Sequence, residues 1–332
     1  MALIRMAQYG TKHGHAAGKL TAMRNNPNVD LAGVFEPDAA RRQALAVPGS
    51  AYEGLYWYSS ADEMLADPTV IAVASEGGNH ESLAQTEQIV QAGKHVWYDK
   101  PAGDDWAHWQ RVAGLAEEQN LLIQMGYMFR YHDGFRRIAD WAQSGLLGDI
   151  FSVRAHMSTW LTEKQRQVIG RHRGGIFYDL AGHMLDQIVW LLGRPAKITP
   201  FLRHDDAIVP SFEDNTLVVL EYERAMAFVD IAAMESRPMA RRFEVYGTKG
   251  SAIMEPLEPA KRVRLCLETN QPGFLPGPQS ILVQTQTRQQ LYDLELEAFL
   301  ATIEGRQPPD RPLSHDLLVQ ETLLRATGSL NT

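Results

Sequence analysis

The sequence predicts an α/β protein in two parts: a doubly wound parallel sheet first, then an α+β domain built on a mostly antiparallel sheet. Three observations carry this expectation. Up to Gly126, short apolar runs alternate with helical patterns, the order of parallel βαβ units. After Tyr127, strand patterns follow one another closely with short turns between them. The length of 332 residues exceeds one typical domain and suits two. The border is expected near Tyr127, giving domains over 1–126 and 127–332.

The elements follow in order. Ala2 to Tyr9 reads as a buried strand that ends in Gly10-Thr11-Lys12-His13-Gly14-His15, and a helical pattern runs from Ala16 to Arg24. Val29 to Phe35 is a second apolar strand, closed by Glu36-Pro37-Asp38. Strand, glycine-bearing turn, helix, strand, acid is the order of a dinucleotide-binding unit. Glycines let backbone N–H groups at a helix start approach a pyrophosphate. The acid accepts from ribose hydroxyls. Gly10, Gly14 and Gly18 fall four apart, unlike G-x-G-x-x-G, so the turn alone fits any tight βα connection equally well. Glu36, about 20 residues past the turn, tips the balance towards a cofactor. A carboxylate there repels a 2′-phosphate and favours NAD over NADP, while Arg41 and Arg42 nearby keep the second open.

Val70 to Ala74 is the next strand, followed by Ser75-Glu76-Gly77-Gly78-Asn79-His80 and a helix from Glu81 to Ala92. The strand His95-Val96-Trp97-Tyr98 runs into Asp99-Lys100-Pro101, a charged pair and a proline that make poor packing material. A helix over Asp104 to Asn120 and a strand over Leu121 to Gly126 complete the alternation. Ligands of such sheets lie across the carboxyl ends of the strands, so Gly10, Glu36, Ser75 and Lys100 share one rim.

In the second part, a helix over His132 to Ser144 precedes a strand over Ile150 to Ser158. A polar loop with Trp160, Arg166, Arg171, His172 and Arg173 leads to Gly174-Gly175 and a helix from Asp179 to Leu192. Strands are expected over Lys197–Arg203, Asn215–Tyr222, Ala225–Ala233, Phe243–Tyr246 and Val263–Glu268, with closing helices near Gln289–Ile303 and His315–Ala326. Asn270 to Ser280, NQPGFLPGPQS, reads as a loop.

Composition narrows the function. With 45% hydrophobic and 22% charged residues the chain is of ordinary globular type. A formal charge of −8 argues against nucleic-acid binding, which needs a basic surface. The single cysteine, Cys266, permits no internal disulfide and suits a reducing cytoplasm. No apolar run reaches the roughly 18 residues of a membrane span, and MALIRMAQYG enters a strand pattern without a signal-peptide layout.

Asp179, His183 and Asp186 stand at i, i+4 and i+7 on one helix stripe whose later part is apolar. Such a stripe needs partners or a purpose. Asp179 as a helix cap with a His183–Asp186 pair is one reading, and catalysis is another. A divalent metal is a weaker third, since one histidine with carboxylates makes an incomplete ligand set. No metal is assigned.

Several stretches together resemble the glucose–fructose oxidoreductase / inositol dehydrogenase / rhizopine catabolism (Gfo/Idh/MocA) family. Tyr98-Asp99-Lys100-Pro101 is similar to its E-K-P signature, and Ala92-Gly93-Lys94-His95-Val96 to the A-G-K-H-V lead-in. Gly174-Gly175 with Asp179, His183 and Asp186 resembles its G-G-x-x-x-D-x-G-x-H-x-x-D helix, and Gly247-Thr248-Lys249-Gly250 its G-T-x-G turn. Asp99 stands for the usual glutamate, Ser75-Glu76-Gly77 for Thr-Pro-Asn, and Ala181 for the helix glycine.

The resemblance implies a Rossmann domain, then an α+β domain whose large open sheet forms the subunit interface of a homodimer or homotetramer. It implies NAD, or NADP, and a small sugar, inositol or related polyol as substrate. Lys100, Asp179 and His183 are then catalytic. Gly10, Thr11, His13, Gly14, Glu36, Ser75, Glu76, Gly77, Asn79, His80, Asp99 and Lys100 line the cofactor, and Lys100, Tyr127, Arg130, Trp160, Asp179 and His183 the substrate. Histidine, with a reference pKa of about 6.5, suits the removal of a hydroxyl proton. Lys100 would stabilise alkoxide charge. Two other outcomes stay open: oxidation beside a glycosidic carbon that enables elimination with the cofactor recycled, and a silent NAD-sensing binding protein.

Overall fold

The computed structural model describes residues 3–206 and 208–330. Two compact units form: one from the residues through Met128 with Arg288–Leu317, the other from Phe129–Thr287 with the residues from Leu318 on. Each has its own sheet. The expected start of the first strand at Ala2 lies outside the described residues.

The first unit alternates as β1 (Ile4–Tyr9), α1 (Ala16–Asn25), β2 (Val29–Phe35), α2 (Ala39–Leu45), α3 (Ala61–Ala66), β3 (Ala72–Ser75), α4 (Ser82–Gln91), β4 (His95–Tyr98), α5 (Trp106–Glu118) and β5 (Ile123–Met125). The sheet order is β2-β1-β3-β4-β5 and every pair is parallel. Residues Ala72, Val73, Ala74 and Ser75 are all buried, as expected of a central strand covered on both faces. Helix α2 was not legible in the sequence because it buries no residue and so shows no apolar stripe. What starts it is local: the Asp38 side chain accepts from the N–H groups of Ala40 and Arg41, both at 3.0 Å.

The second part of the chain runs through a 3₁₀ turn (Met128–Tyr131), α6 (Asp133–Gln143), β6 (Ile150–His156), α7 (Glu163–Ile169), α8 (Gly175–Leu180), α9 (Gly182–Leu192), β7 (Lys197–Arg203), β8 (Asn215–Glu221), β9 (Met226–Ala232), β10 (Arg242–Gly247), β11 (Gly250–Met254), β12 (Arg262–Leu267), β13 (Gly277–Leu282), α10 (Arg288–Ile303) and α11 (Leu313–Ala326). The eight strands order as β13-β12-β11-β10-β6-β9-β8-β7. Among the described residues of this sheet, only β6 and β9 pair in parallel. The α/β class with a parallel first sheet and a mostly antiparallel second sheet is therefore the one expected. Alternate residues such as Thr216, Val218 and Leu220 are buried on one face. The other face keeps Leu217, Val219 and Phe228 half-buried.

Three expectations on elements need correction. The stretch read as a loop over Asn270–Ser280 contains most of β13, an edge strand, where Pro278 opposite Cys266 is tolerated because an edge leaves one side of the ladder unpaired. The polar loop after Trp160 holds α7, started by a reciprocal capping box between Thr162 and Gln165. The helix expected from Asp179 to Leu192 is two: α8 and α9 meet at Ala181. Asp179 does not cap it; the cap is Gly174, in the left-handed region at φ +87°, and Asp179 lies in the last turns of α8. Among the described residues no helix is long and apolar enough to cross a membrane.

Candidate active site

The carboxyl ends of β1, β2, β3 and β4 form one rim of the first unit. Gly10 opens the first turn with φ +80°, and a Cβ there would lie 2.7 Å from the backbone nitrogen of Gly77. The two turns therefore touch backbone to backbone, which only glycine allows. His13 N–H donates to the Glu76 carbonyl at 3.0 Å and ties them again. Gly14 is exposed, with nothing within 4 Å of an added Cβ. The α1 start carries no side-chain cap. The His15 and Ala16 N–H groups donate back to His13, to its Nδ1 and its carbonyl, both at 3.2 Å, so a phosphate at this helix start would meet the amides that follow them.

Glu36 directly follows β2 and is 2% exposed. The Thr11 hydroxyl donates to its Oε2 at 2.6 Å, and the Asp38 N–H to its Oε1 at 2.9 Å. Arg41 Nε donates to Thr11 Oγ1 at 2.6 Å and stays 3.9 Å from the Glu36 carboxylate. A cation thus flanks the Glu36 carboxylate. These residues fit a dinucleotide by their chemistry: a glycine turn open at Gly14, and a carboxylate held in place just after the second strand of the sheet.

Other expected cofactor residues are placed differently. Ser75 is fully buried and shares a hydrogen bond of 2.9 Å with Thr86 of α4, so its hydroxyl faces the helix. Gly77 is closed in, an added Cβ meeting Gln85 at 2.1 Å. Asn79 is half-buried and His80 is exposed, its Nε2 lying 3.5 Å from Glu81. Lys100 is 4% exposed behind a cis Lys100–Pro101 bond, with its backbone N–H bound to Asp99 Oδ1 at 2.8 Å. Tyr127 is buried, and the Arg311 guanidinium lies 5.3 Å from its ring centre.

Beneath the turn lies a cluster that the sequence reading missed in part. Lys19 of α1 is fully buried, 3.1 Å from Glu76, 3.2 Å from Asp99 and 4.4 Å from the centre of the Trp97 ring. The contact with Glu76 is an ion pair without a well-directed hydrogen bond. Burial opposes the charge of Lys19, but Asp99 and Glu76 raise its pKa overall. Burial pushes Glu76 up to about 7 and Glu295 of α10 up to about 8. His15 is pushed down to about 4, again by burial. Burial likewise works against Asp99, yet His13, His15 and Lys19 around it hold it well below the usual carboxylate range. One signal was present in the sequence. Ala16, Lys19, Leu20 and Met23 share one buried stripe, so a lysine sits at a core position.

In the second unit, Arg130 and Asp186 make a buried ion pair at 2.8 Å, with Trp190 stacked 4.6 Å from the guanidinium. Asp186 thus has Arg130 as an ion-pair partner. His183 opens α9, buried against Phe129 at a ring separation of 5.0 Å, and Asp179 is half-buried one turn earlier. His172 stacks on Tyr178 at 4.6 Å. Arg166 is consumed structurally, bound to Asp206 at 2.8 Å and to the Leu161 and Ala233 carbonyls. Trp160 is 49% exposed, and Arg171 and Arg173 are exposed.

A doubly wound parallel sheet with a tight glycine turn after its first strand and an acid after its second is the arrangement of a dinucleotide-binding domain of the Rossmann type. Residues 5–127 match an oxidoreductase family described by its NAD-binding Rossmann fold, and residues 135–253 match the GFO/IDH/MocA C-terminal domain. The chain belongs to the Gfo/Idh/MocA oxidoreductase family, and its Rossmann domain binds NAD(P).

Among curated relatives, an uncharacterized oxidoreductase of Schizosaccharomyces pombe is 26% identical over 63% of this chain and 59% of its own length. The 1,5-anhydro-D-fructose reductase of Ensifer adhaerens is 24% identical over 76% of this chain and 74% of its own length. Three curated relatives are spanned over 59%, 64% and 64% of their length. The fold is shared with GenD2 from gentamicin A biosynthesis, solved in complex with NAD, at a TM-score of 0.80 and 23% identity, covering 99% of this chain and 95% of that one.

Proposed function

We propose that this protein is a dehydrogenase that moves a hydride between NAD, in preference to NADP, and a carbinol carbon of a sugar, inositol or related polyol. The observation that carries the reading is Lys100: a buried lysine at the carboxyl end of β4, on the same rim as the Gly10 turn and Glu36. A lysine so placed supports a role beside the reacting carbon. The sugar reductase among the relatives supports the substrate class.

Residues of the first domain hold the dinucleotide. Gly10, Thr11, His13 and Gly14 with the α1 amides take the pyrophosphate, and Glu36 takes the ribose. When bound, the nicotinamide supplies the hydride acceptor or donor. The chain's own groups handle the proton. His183 takes it from the substrate hydroxyl as general base, and Asp179 orients the imidazole or holds that hydroxyl. The Lys100 ammonium stabilises charge that develops on the carbinol oxygen. Tyr127, Arg130 and Trp160 complete the substrate set, Arg130 acting through its buried pair with Asp186. The open face of the eight-stranded sheet, with Leu217, Val219 and Phe228 half-buried, supports self-association into a dimer or tetramer. A formal charge of −8 speaks against a nucleic-acid partner.

The test is an absorbance screen across sugars, sugar acids and inositols with NAD and NADP. Turnover of at least one polyol is expected, and Lys100→Met or His183→Ala should remove it while leaving the melting temperature near that of the parent. Unchanged turnover in both variants overturns the reading.

A further inference from the structure

Asp99 is 3% exposed, and its carboxylate is surrounded by protein groups from several elements. Oδ1 accepts the Lys100 backbone N–H at 2.8 Å. His15 Nδ1 lies 3.0 Å from Oδ2, His13 Nδ1 3.2 Å, and Lys19 Nζ 3.2 Å. On the remaining side it presses on Gly126, where an added Cβ would stand 2.7 Å from Oδ1. One carboxylate thus joins the first turn, α1 and the β5 end to the peptide of Lys100. Two imidazoles and a carboxylate could suggest a metal, since their donor atoms lie within 4.8 Å of one another. Lys19 answers that suggestion, because its ammonium already occupies the cation's position against Oδ2.

From this geometry we propose that Asp99 is a positioning residue: it contacts neither cofactor nor substrate, but sets where Lys100 stands by binding its peptide N–H, with Lys19 and His15 holding the carboxylate in place. This rests on the reading of Lys100 given above. Charge balance supports it. Lys19 lies between Asp99 and Glu76, and Arg311 also faces Glu295; burial favours the protonated form of both glutamates, so Asp99 is the carboxylate that keeps its charge. The ionised carboxylate is then the one bonded to the Lys100 peptide. A displacement of about 1 Å at a reacting group can cost on the order of a hundredfold in rate, so loosening this tie has a measurable cost.

The experiment compares Asp99→Ala, Lys19→Met and the double variant in the full chain. Glu76 can ionise and hold Lys19 when Asp99 is gone, so the first variant keeps its fold. Removing both partners together gives a second variant without a stranded charge. Asp99→Ala should lower kcat by about tenfold to a hundredfold, while the Kd for NADH, read by fluorescence titration, stays within about threefold. Lys19→Met should lower kcat in the same direction, and the double variant should lose less than the product of the two losses. Hydrogen exchange of the peptide spanning Lys100 should speed up in Asp99→Ala while that of β3 does not. A kcat within twofold of the parent, a Kd that rises as kcat falls, or fully multiplicative losses would overturn the proposal. If no polyol is turned over by the parent, the functional reading fails on its own. The exchange measurement still decides, and unchanged exchange at Lys100 overturns the positioning role.

Discussion

Replacing Glu295 by glutamine should make the protein more stable as pH rises. The Glu295 carboxyl is fully buried, and neither oxygen receives a well-directed hydrogen bond. Burial raises its pKa from 4.5 to about 8. The folded chain therefore holds this proton more tightly than the unfolded chain does. The stabilisation is complete below pH 4.5, declines as the unfolded carboxyl ionises, and is lost as pH passes about 8. At about 1.4 kcal/mol per pH unit for one proton, the span from 4.5 to about 8 amounts to about 5 kcal/mol. Glutamine has nearly the same shape and does not titrate. The two proteins should thus be close in stability near pH 4.5, and the variant should gain about 4 kcal/mol on the parent between pH 5 and pH 8. For a unit of this size that is a widening gap of roughly 8–16 °C in Tm. Thermal unfolding followed by circular dichroism at half-unit pH steps measures it directly. A gap that stays constant or narrows over that range would refute the assignment of a neutral buried Glu295.

Other consequences are as direct. Gly10→Ala puts a side chain at φ +80° and 2.7 Å from the Gly77 backbone, so NADH affinity should fall at least tenfold and stability by roughly 1–3 kcal/mol; fluorescence titration and denaturant unfolding report both. Glu36→Ser removes the acid that repels a 2′-phosphate and leaves Arg41, 3.9 Å away, to meet one. The ratio of NADP to NAD in kcat/KM should rise by about tenfold or more, at roughly 1.5–3 kcal/mol per hydrogen bond to a charged group. Asp186→Asn leaves the buried Arg130 guanidinium without its counter-charge and should cost about 3–5 kcal/mol in urea unfolding.

Much of this was legible in the sequence, and the reasons are local. The strand β4 was readable because His95-Val96-Trp97-Tyr98 lies between a helix-ending Gly93 and the Asp99-Lys100-Pro101 break. Likewise the place of Glu36 just after β2 was readable from the apolar run that precedes it. Edge strand β13 was hidden because its glycine, its proline and its lack of buried residues carry no hydrophobic period. The partners of the buried charges could not be read at all. Lys19 and Glu295 both sit on apolar stripes, which marks them as buried, but they are far apart in the chain and meet only because α10 packs on α1. Asp186 shares a face with His183 on any helical wheel, but that wheel could not show that the 3₁₀ turn before α6 delivers Arg130 to it.

The central claim is that a hydride passes between a nicotinamide and a carbinol carbon under the control of Lys100 and His183. Its most direct test uses the best polyol from the screen, labelled with deuterium on the reacting carbon, and NMR of the reduced cofactor after turnover. The account predicts one deuterium on the nicotinamide ring for each product formed, and none when Lys100→Met replaces the parent. Deuterium lost to water, or product formed with no net reduced cofactor, would contradict it.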